Sequence, residues 1–143
     1  MMPVDKERLI LLIGRIDESL NILKKIMEDG ESLLKDPVRM GSVKYYLIVA
    51  IEACIDICNH IVAKEHLGTP DSYSGCFDIL QKFSIIDEHL ATKMTSMAKF
   101  RNLLVHLYWK VDDYRVYEIL QKNLQDFKEF IKQVSSKYLI NDH

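Results

Sequence analysis

From Val43 to Val62 the chain is apolar on nearly every side when its residues are set about 100° apart on a helical wheel. A helix of that kind cannot rest on a surface; it has to be covered from several directions. The remainder of the chain must therefore supply the cover, and its patterning is of the right kind. Leu9, Ile13, Ile16, Leu20, Leu23 and Met27 recur in alternating steps of three and four. Tyr117, Leu120, Leu124, Phe127, Ile131 and Val134 do the same. Five glycines and three prolines in 143 residues leave these runs unbroken, and no strand-like alternation competes with them. The expected fold class is all-α: an up-and-down bundle of four long helices plus one short helix, in a single domain over residues 1–143.

Local signals set the boundaries. Asp5 can cap a first helix that runs to about Asp29, where Gly30 can supply a left-handed residue. Glu31 to Asp36 is a short connection. The apolar helix starts at Asp36 or Pro37, proline being tolerated in a first turn, and runs to Glu65. His66 to Gly75 clusters Gly, Pro, Asp and Ser and reads as a loop. A short helix over about Ser74 to Phe83 follows. Asp87 then opens a fourth helix expected to continue through Trp109 to a turn at Val111–Asp113. Asp112 or Asp113 caps the last helix, which ends near Tyr138 with residues 141–143 frayed.

The chemistry is concentrated late in the fourth helix. Arg101, Asn102, His106, Tyr108 and the only tryptophan, Trp109, fall within nine residues. On a wheel Phe100, Leu103, Leu104 and Leu107 share a core-facing sector. Arg101, Asn102 and His106 point the other way, with Met94, Ala98 and Val105 among them. One helix face is thus expected to meet its own core and the other a partner. A plain helix end also accounts for the basic residues, because terminal carbonyls favour positive charge. Five residues place Arg101 and His106 roughly 140° apart on a regular helix. A relaxed last turn, or the same helix from a second copy across a two-fold axis, is needed to bring such groups together.

Arg101, His106 and Tyr108 form an Arg-x4-His-x-Tyr pattern that resembles the motif of HEPN-domain ribonuclease toxins of the HepT type. The likeness extends to Tyr46–Leu47, to Ala50 through Ile61, to Ser72–Tyr73 with Phe77 and Leu80, and to the Met97–Phe100 lead-in. One departure is Ser84-Ile85-Ile86, where many relatives carry a glycine turn. The resemblance implies a HEPN-like bundle and a homodimer with two Arg and two His around one cleft. It implies an endoribonuclease toxin of a type VII-like toxin–antitoxin pair. Its partner would be a MntA-type nucleotidyltransferase antitoxin that neutralises it by AMPylation of the motif tyrosine, here Tyr108.

The residue types suit that chemistry. RNA carries its own nucleophile, the 2′-hydroxyl, so a metal-independent cut needs proton transfer and a positive charge for the phosphorane. His106 can move a proton near neutral pH. Arg101 is permanently charged and can hold two phosphate oxygens. Asn102 can orient His106 or donate to phosphate. Tyr108 can hydrogen-bond phosphate or stack on a base, and Trp109 can add stacking. The net charge of −2 argues against a basic coat, but Lys93 to Lys110 holds Lys93, Lys99, Arg101 and Lys110 and no acid. A non-catalytic helical nucleotide- or partner-binding module is the alternative.

Other residues are less decisive. Glu52, Asp56 and His60 recur every four residues along the apolar helix. That line can hold a metal, form a structural network, or support Arg101 or His106 from behind. Three cysteines argue against a disulfide framework, and Cys54 and Cys58 are expected to be buried thiols. No zinc spacing, Gly-rich phosphate loop, nucleophile elbow or His-Glu-x-x-His motif is present, so no metal or cofactor is expected. No uninterrupted apolar run is judged long enough to span a bilayer, and the N-terminus has no signal-peptide pattern. The expectation is a cytoplasmic protein with no membrane role.

Overall fold

A computed structural model describes residues 3–71 and 73–140. Ser72, part of the family likeness, and residues 141–143, expected to fray, lie outside the described residues. The described residues are all-α. The helices are α1 (Lys6–Met27), α2 (Pro37–Lys64), α3 (Tyr73–Lys82), α4 (Glu88–His106), α5 (Asp113–Lys122) and α6 (Leu124–Tyr138). Two short 3-10 segments, Gly30–Lys35 and Tyr108–Lys110, join α1 to α2 and follow α4.

The starts fall where local chemistry puts them. Asp5, Asp36, Asp87 and Asp112 each accept a backbone N–H of the first turn that follows, from Arg8, Arg39, Leu90 and Tyr114. Pro37 opens α2 at a position whose N–H is not needed. Gly30 has the left-handed φ expected of it, +63°, but α1 already ends at Met27 and Gly30 opens the 3-10 segment. The end of α3 is more telling. Ile85 N–H donates to the Leu80 carbonyl at 2.9 Å and Ser84 N–H to that of Gln81 at 3.0 Å. Between them Ser84 sits at φ +59°. This is the doubly bonded helix stop that favours glycine, which accounts for the one departure from the family pattern: the turn is kept and a serine is held in it.

α2 is the central element. It packs against α1, α3, α4 and α6, and its Leu47, Ile51, Cys54, Ile57, Cys58 and Ile61 are fully buried. By length and composition alone it is apolar enough to cross a membrane, contrary to the expectation from its sequence. Its burial within the bundle is that of a core helix. Phe77 of α3 and Phe130 of α6 meet edge to face at 5.7 Å between ring centres, both fully buried.

Two further expectations are corrected. The last helix is two: Asn123 breaks it between α5 and α6. Its side-chain amide donates to Asp126 at 3.0 Å, and its backbone takes φ −116° and ψ −2°. Asparagine competes for such local bonds, which is why it interrupts a helix that apolar spacing alone carries through. Cys58 is joined to Cys76 of α3 in a disulfide, with the Cα atoms 6.1 Å apart. Comparing Cys54 and Cys58 along one helix could not reveal a partner from another. Cys54 is the buried free thiol expected, and burial pushes its pKa up.

Candidate functional site

α4 is anchored at its start. Asp87 caps it, and Gln133 of α6 holds Asp87 from both sides, accepting its N–H and donating to its carboxylate, each at 2.8 Å. The Leu90 N–H first, and the Gln133 amide second, hold the Asp87 carboxyl below the usual range. Along the helix Leu90, Met94, Met97, Ala98, Phe100 and Leu104 are buried. This corrects the wheel reading: Met94 and Ala98 belong to the core, while Leu103 is 41% exposed. A helix packed against both α2 and α3 has a core sector wider than, and rotated from, the one drawn for a single neighbour.

The other end is also corrected. α4 stops at His106 and does not run through Trp109. Leu107 leaves helical geometry at φ −136°, ψ +41°, its N–H still bonded to the Leu103 carbonyl. Lys110 N–H then donates to the Leu107 carbonyl at 2.8 Å, closing the tight turn Tyr108–Lys110. The chain then turns back into α5, which buries Val116, Ile119 and Leu120 and whose Asp113 pairs with Lys44 of α2 at 2.7 Å. Tyr108 therefore does not lie on the helical line of Arg101. It is 63% exposed and packs edge to face on Trp109 at 5.5 Å, Trp109 being 66% exposed. His106 is exposed in the last turn, where positive charge is favourable.

Arg101 is the best-held of the motif residues. Its side chain is only 13% exposed. Nε and Nη2 both donate to one oxygen of Glu52, at 3.1 and 2.7 Å, and Nη1 donates to the Asn102 side-chain oxygen at 3.1 Å. Asn102 thus holds Arg101, a role beside the two expected for it. The structure brings Arg101, Asn102 and Glu52 together, with His106 and Tyr108 at the exposed end of the same segment.

The polar line on α2 divides among three tasks. Glu52 serves Arg101. His60 Nε2 accepts the Asp5 N–H at 2.9 Å, tying the start of α1 to α2, and burial first, then Lys64, lowers its pKa. Asp56 lines a small cleft of about 180 Å³ with Glu52, Ile55 and Arg101. Burial raises its pKa, opposed by Arg8 and Arg15 of α1. Among the described residues no three His, Cys, Asp or Glu side chains gather as a metal-binding group. In the sequence Glu52 shares its signal, a polar residue every fourth position inside an apolar helix, with Asp56 and His60.

The all-helical bundle has counterparts among known proteins. The family model described as Ribonuclease HepT-like matches residues 16–134, and the chain belongs to that family. Similar relatives include the mRNA nuclease HepT of Shewanella oneidensis, 30% identical over 125 residues, covering 87% of this chain and 94% of that protein. The tRNA nuclease HepT of Aphanizomenon flos-aquae is 30% identical over 138 residues, covering 96% and 92%. A solved structure of the tri-AMPylated Shewanella oneidensis HEPN toxin in complex with MNT antitoxin superposes with a TM-score of 0.86 at 30% identity, covering 90% of this chain and 97% of that one.

Proposed function

We propose that this protein is a metal-independent endoribonuclease toxin of the cytoplasm that cleaves RNA at an Arg-x4-His-x-Tyr site in a homodimer cleft. The observation that carries the reading is the pre-set Arg101, bonded to Glu52 and Asn102 on the segment that exposes His106. His106 moves the proton of the 2′-hydroxyl, which attacks the adjacent phosphorus. The 5′-oxygen leaves and takes up a proton, and a 2′,3′-cyclic phosphate remains. Arg101 offsets the charge gathering on the phosphorane. A second histidine from the other copy fills the second proton-transfer role. Trp109 and Tyr108 offer stacking faces to unpaired bases.

The dimer reading draws on the surface beside Arg101. On α2, Tyr45, Ile48, Glu52 and Asp56 fall in a sector of about 80°, and Tyr45 is 59% exposed. Leu11 of α1, 52% exposed, lies between Arg8 and Arg15, whose charges reach Asp56. Val105 of α4 is 39% exposed one turn beyond Arg101. Apolar area of this kind around a charged centre is costly to leave in water and suits a second copy with the two motif helices facing. Light scattering at micromolar concentration gives twice the chain mass of 16.7 kDa on this reading, and the single-chain mass refutes it.

Control is assigned to Tyr108. A nucleotidyltransferase antitoxin transfers AMP from ATP to its phenol oxygen with loss of pyrophosphate. The added phosphodiester brings negative charge and bulk to the exposed turn just beyond His106. The exposure of Tyr108 supports access. Incubation with such an antitoxin, ATP and Mg²⁺ adds AMP mass to the peptide carrying Tyr108, and Tyr108→Phe takes up none; a Phe variant modified and silenced like the parent refutes the assignment.

The central test is RNA cleavage in excess chelator by the parent, Arg101→Ala and His106→Ala proteins, each shown to be folded. The parent cuts and both variants lose at least about a hundredfold in rate. Equal cutting by all three overturns the site, and activity that needs a divalent ion overturns the metal-free mechanism. In cells, expression without an antitoxin arrests growth and His106→Ala relieves the arrest.

A further inference from the structure

We propose that Glu52 is the positioning residue of this site: it holds the Arg101 guanidinium in one orientation and acts on RNA only through it. The inference rests on the reading of Arg101 as the phosphate-binding group. Glu52 comes from α2, 49 residues away in sequence, and a single carboxylate oxygen receives both Nε–H and Nη2–H. Asn102 takes Nη1–H from the other side. A guanidinium is planar, so three anchors on its three nitrogens fix both the direction and the tilt of the plane. Arg101 is the enclosed partner, 13% exposed against 43% for Glu52, so the arginine is constrained and the carboxylate reaches in from the wetter side.

The neighbouring acids divide the labour. Asp56 lines the same cleft and feels Arg8 of α1, then Glu52 itself, then Arg15 of α1. Glu52, of that same α2 polar line, places both of its bonds on the motif arginine. A long arginine without such a hold samples many rotamers, and the loss is felt where charge must be met in one place at one moment. Placement of that kind raises the rate of the chemical step, while RNA affinity is spread over the wider basic surface.

The test uses the full chain with three variants. Glu52→Met keeps the length on an apolar helix and removes the acceptor. Glu52→Gln keeps an oxygen at similar reach. The third combines Glu52→Met with Arg101→Ala. Glu52→Met lowers kcat about a hundredfold with KM for RNA changed less than about threefold. Glu52→Gln stays within about tenfold of the parent, and the double variant is no slower than Arg101→Ala alone. Independently of activity, the Arg101 Nε–H resonance is sharp and slowly exchanging in the parent and the Gln variant, and broadened in Glu52→Met. Parental kcat in Glu52→Met, a double variant about tenfold slower than Arg101→Ala, or an unchanged Nε–H resonance each overturns the proposal. If Arg101→Ala itself cuts like the parent, the phosphate-binding reading falls, and the Nε–H resonance still decides whether Glu52 holds Arg101.

Discussion

Replacing Asp87 with alanine tests how the motif helix is held. One carboxylate oxygen caps α4 through Leu90 N–H at 2.7 Å, and the other accepts from Gln133 at 2.8 Å. Losing an N-cap side chain costs about 1 kcal/mol. The exposed bond to Gln133 adds roughly 0.5–1 kcal/mol, because the Gln133 amide keeps Glu129 as a partner and is not orphaned. For a chain of this size the sum of about 1.5–2 kcal/mol lowers Tm by about 5–7 °C. Far-ultraviolet circular dichroism melts measure it. Asp87→Asn, still able to cap, loses less. The sign of the pH dependence follows from the depressed pKa of Asp87, set by Leu90 and then Gln133. The stabilisation is fully present above the unfolded value of about 3.9 and disappears as pH falls through the lower folded value. The gap between parent and Asp87→Ala is therefore constant from about pH 7 to pH 5 and narrows as pH falls below the unfolded value of about 3.9 and through the lower folded one. A Tm within about 1 °C of the parent at neutral pH, or a gap that widens in acid, refutes the capping argument.

Ser84→Gly relieves a left-handed residue worth about 1 kcal/mol and gives back roughly half in unfolded-chain entropy, so Tm rises by about 2 °C; a fall refutes it. Phe130→Ala removes a fully buried ring and its contact with Phe77 and costs about 3–5 kcal/mol in denaturant titration; a loss under about 1 kcal/mol contradicts the packing described. Trp109 is the sole tryptophan, so its fluorescence reports directly on stacking. A non-cleavable 2′-O-methyl oligonucleotide quenches it, and Trp109→Ala weakens that binding by about 1–3 kcal/mol. An unquenched signal with unchanged affinity in the variant removes Trp109 from the RNA surface.

The sequence by itself determined the helical class, the caps at Asp5 and Asp87, a third cap narrowed to Asp112 or Asp113, the left-handed residue at Gly30 and the end of α6 at Tyr138. It also marked Arg101, Asn102, His106 and Tyr108 as one constellation. Periodicity and capping are legible because they act over three or four residues, and a helix start satisfies its own N–H groups with its own side chain. The tertiary structure decided the rest. Where α4 ends goes with the chain turning back so that α5 can bury Val116, Ile119 and Leu120. The burial of Met94 and Ala98 depends on α4 having α2, α3 and α6 as neighbours. The Cys58–Cys76 bond needs α3 beside α2. Glu52, Asp56 and His60 look alike as a polar line four residues apart. Only the packing of α4 and α1 against α2 gives the first to Arg101, brings the second under the charges of Arg8 and Arg15, and gives the third to the Asp5 N–H. Charged side chains are told apart by what comes to meet them, and that is a property of the folded assembly of helices, not of any one helix.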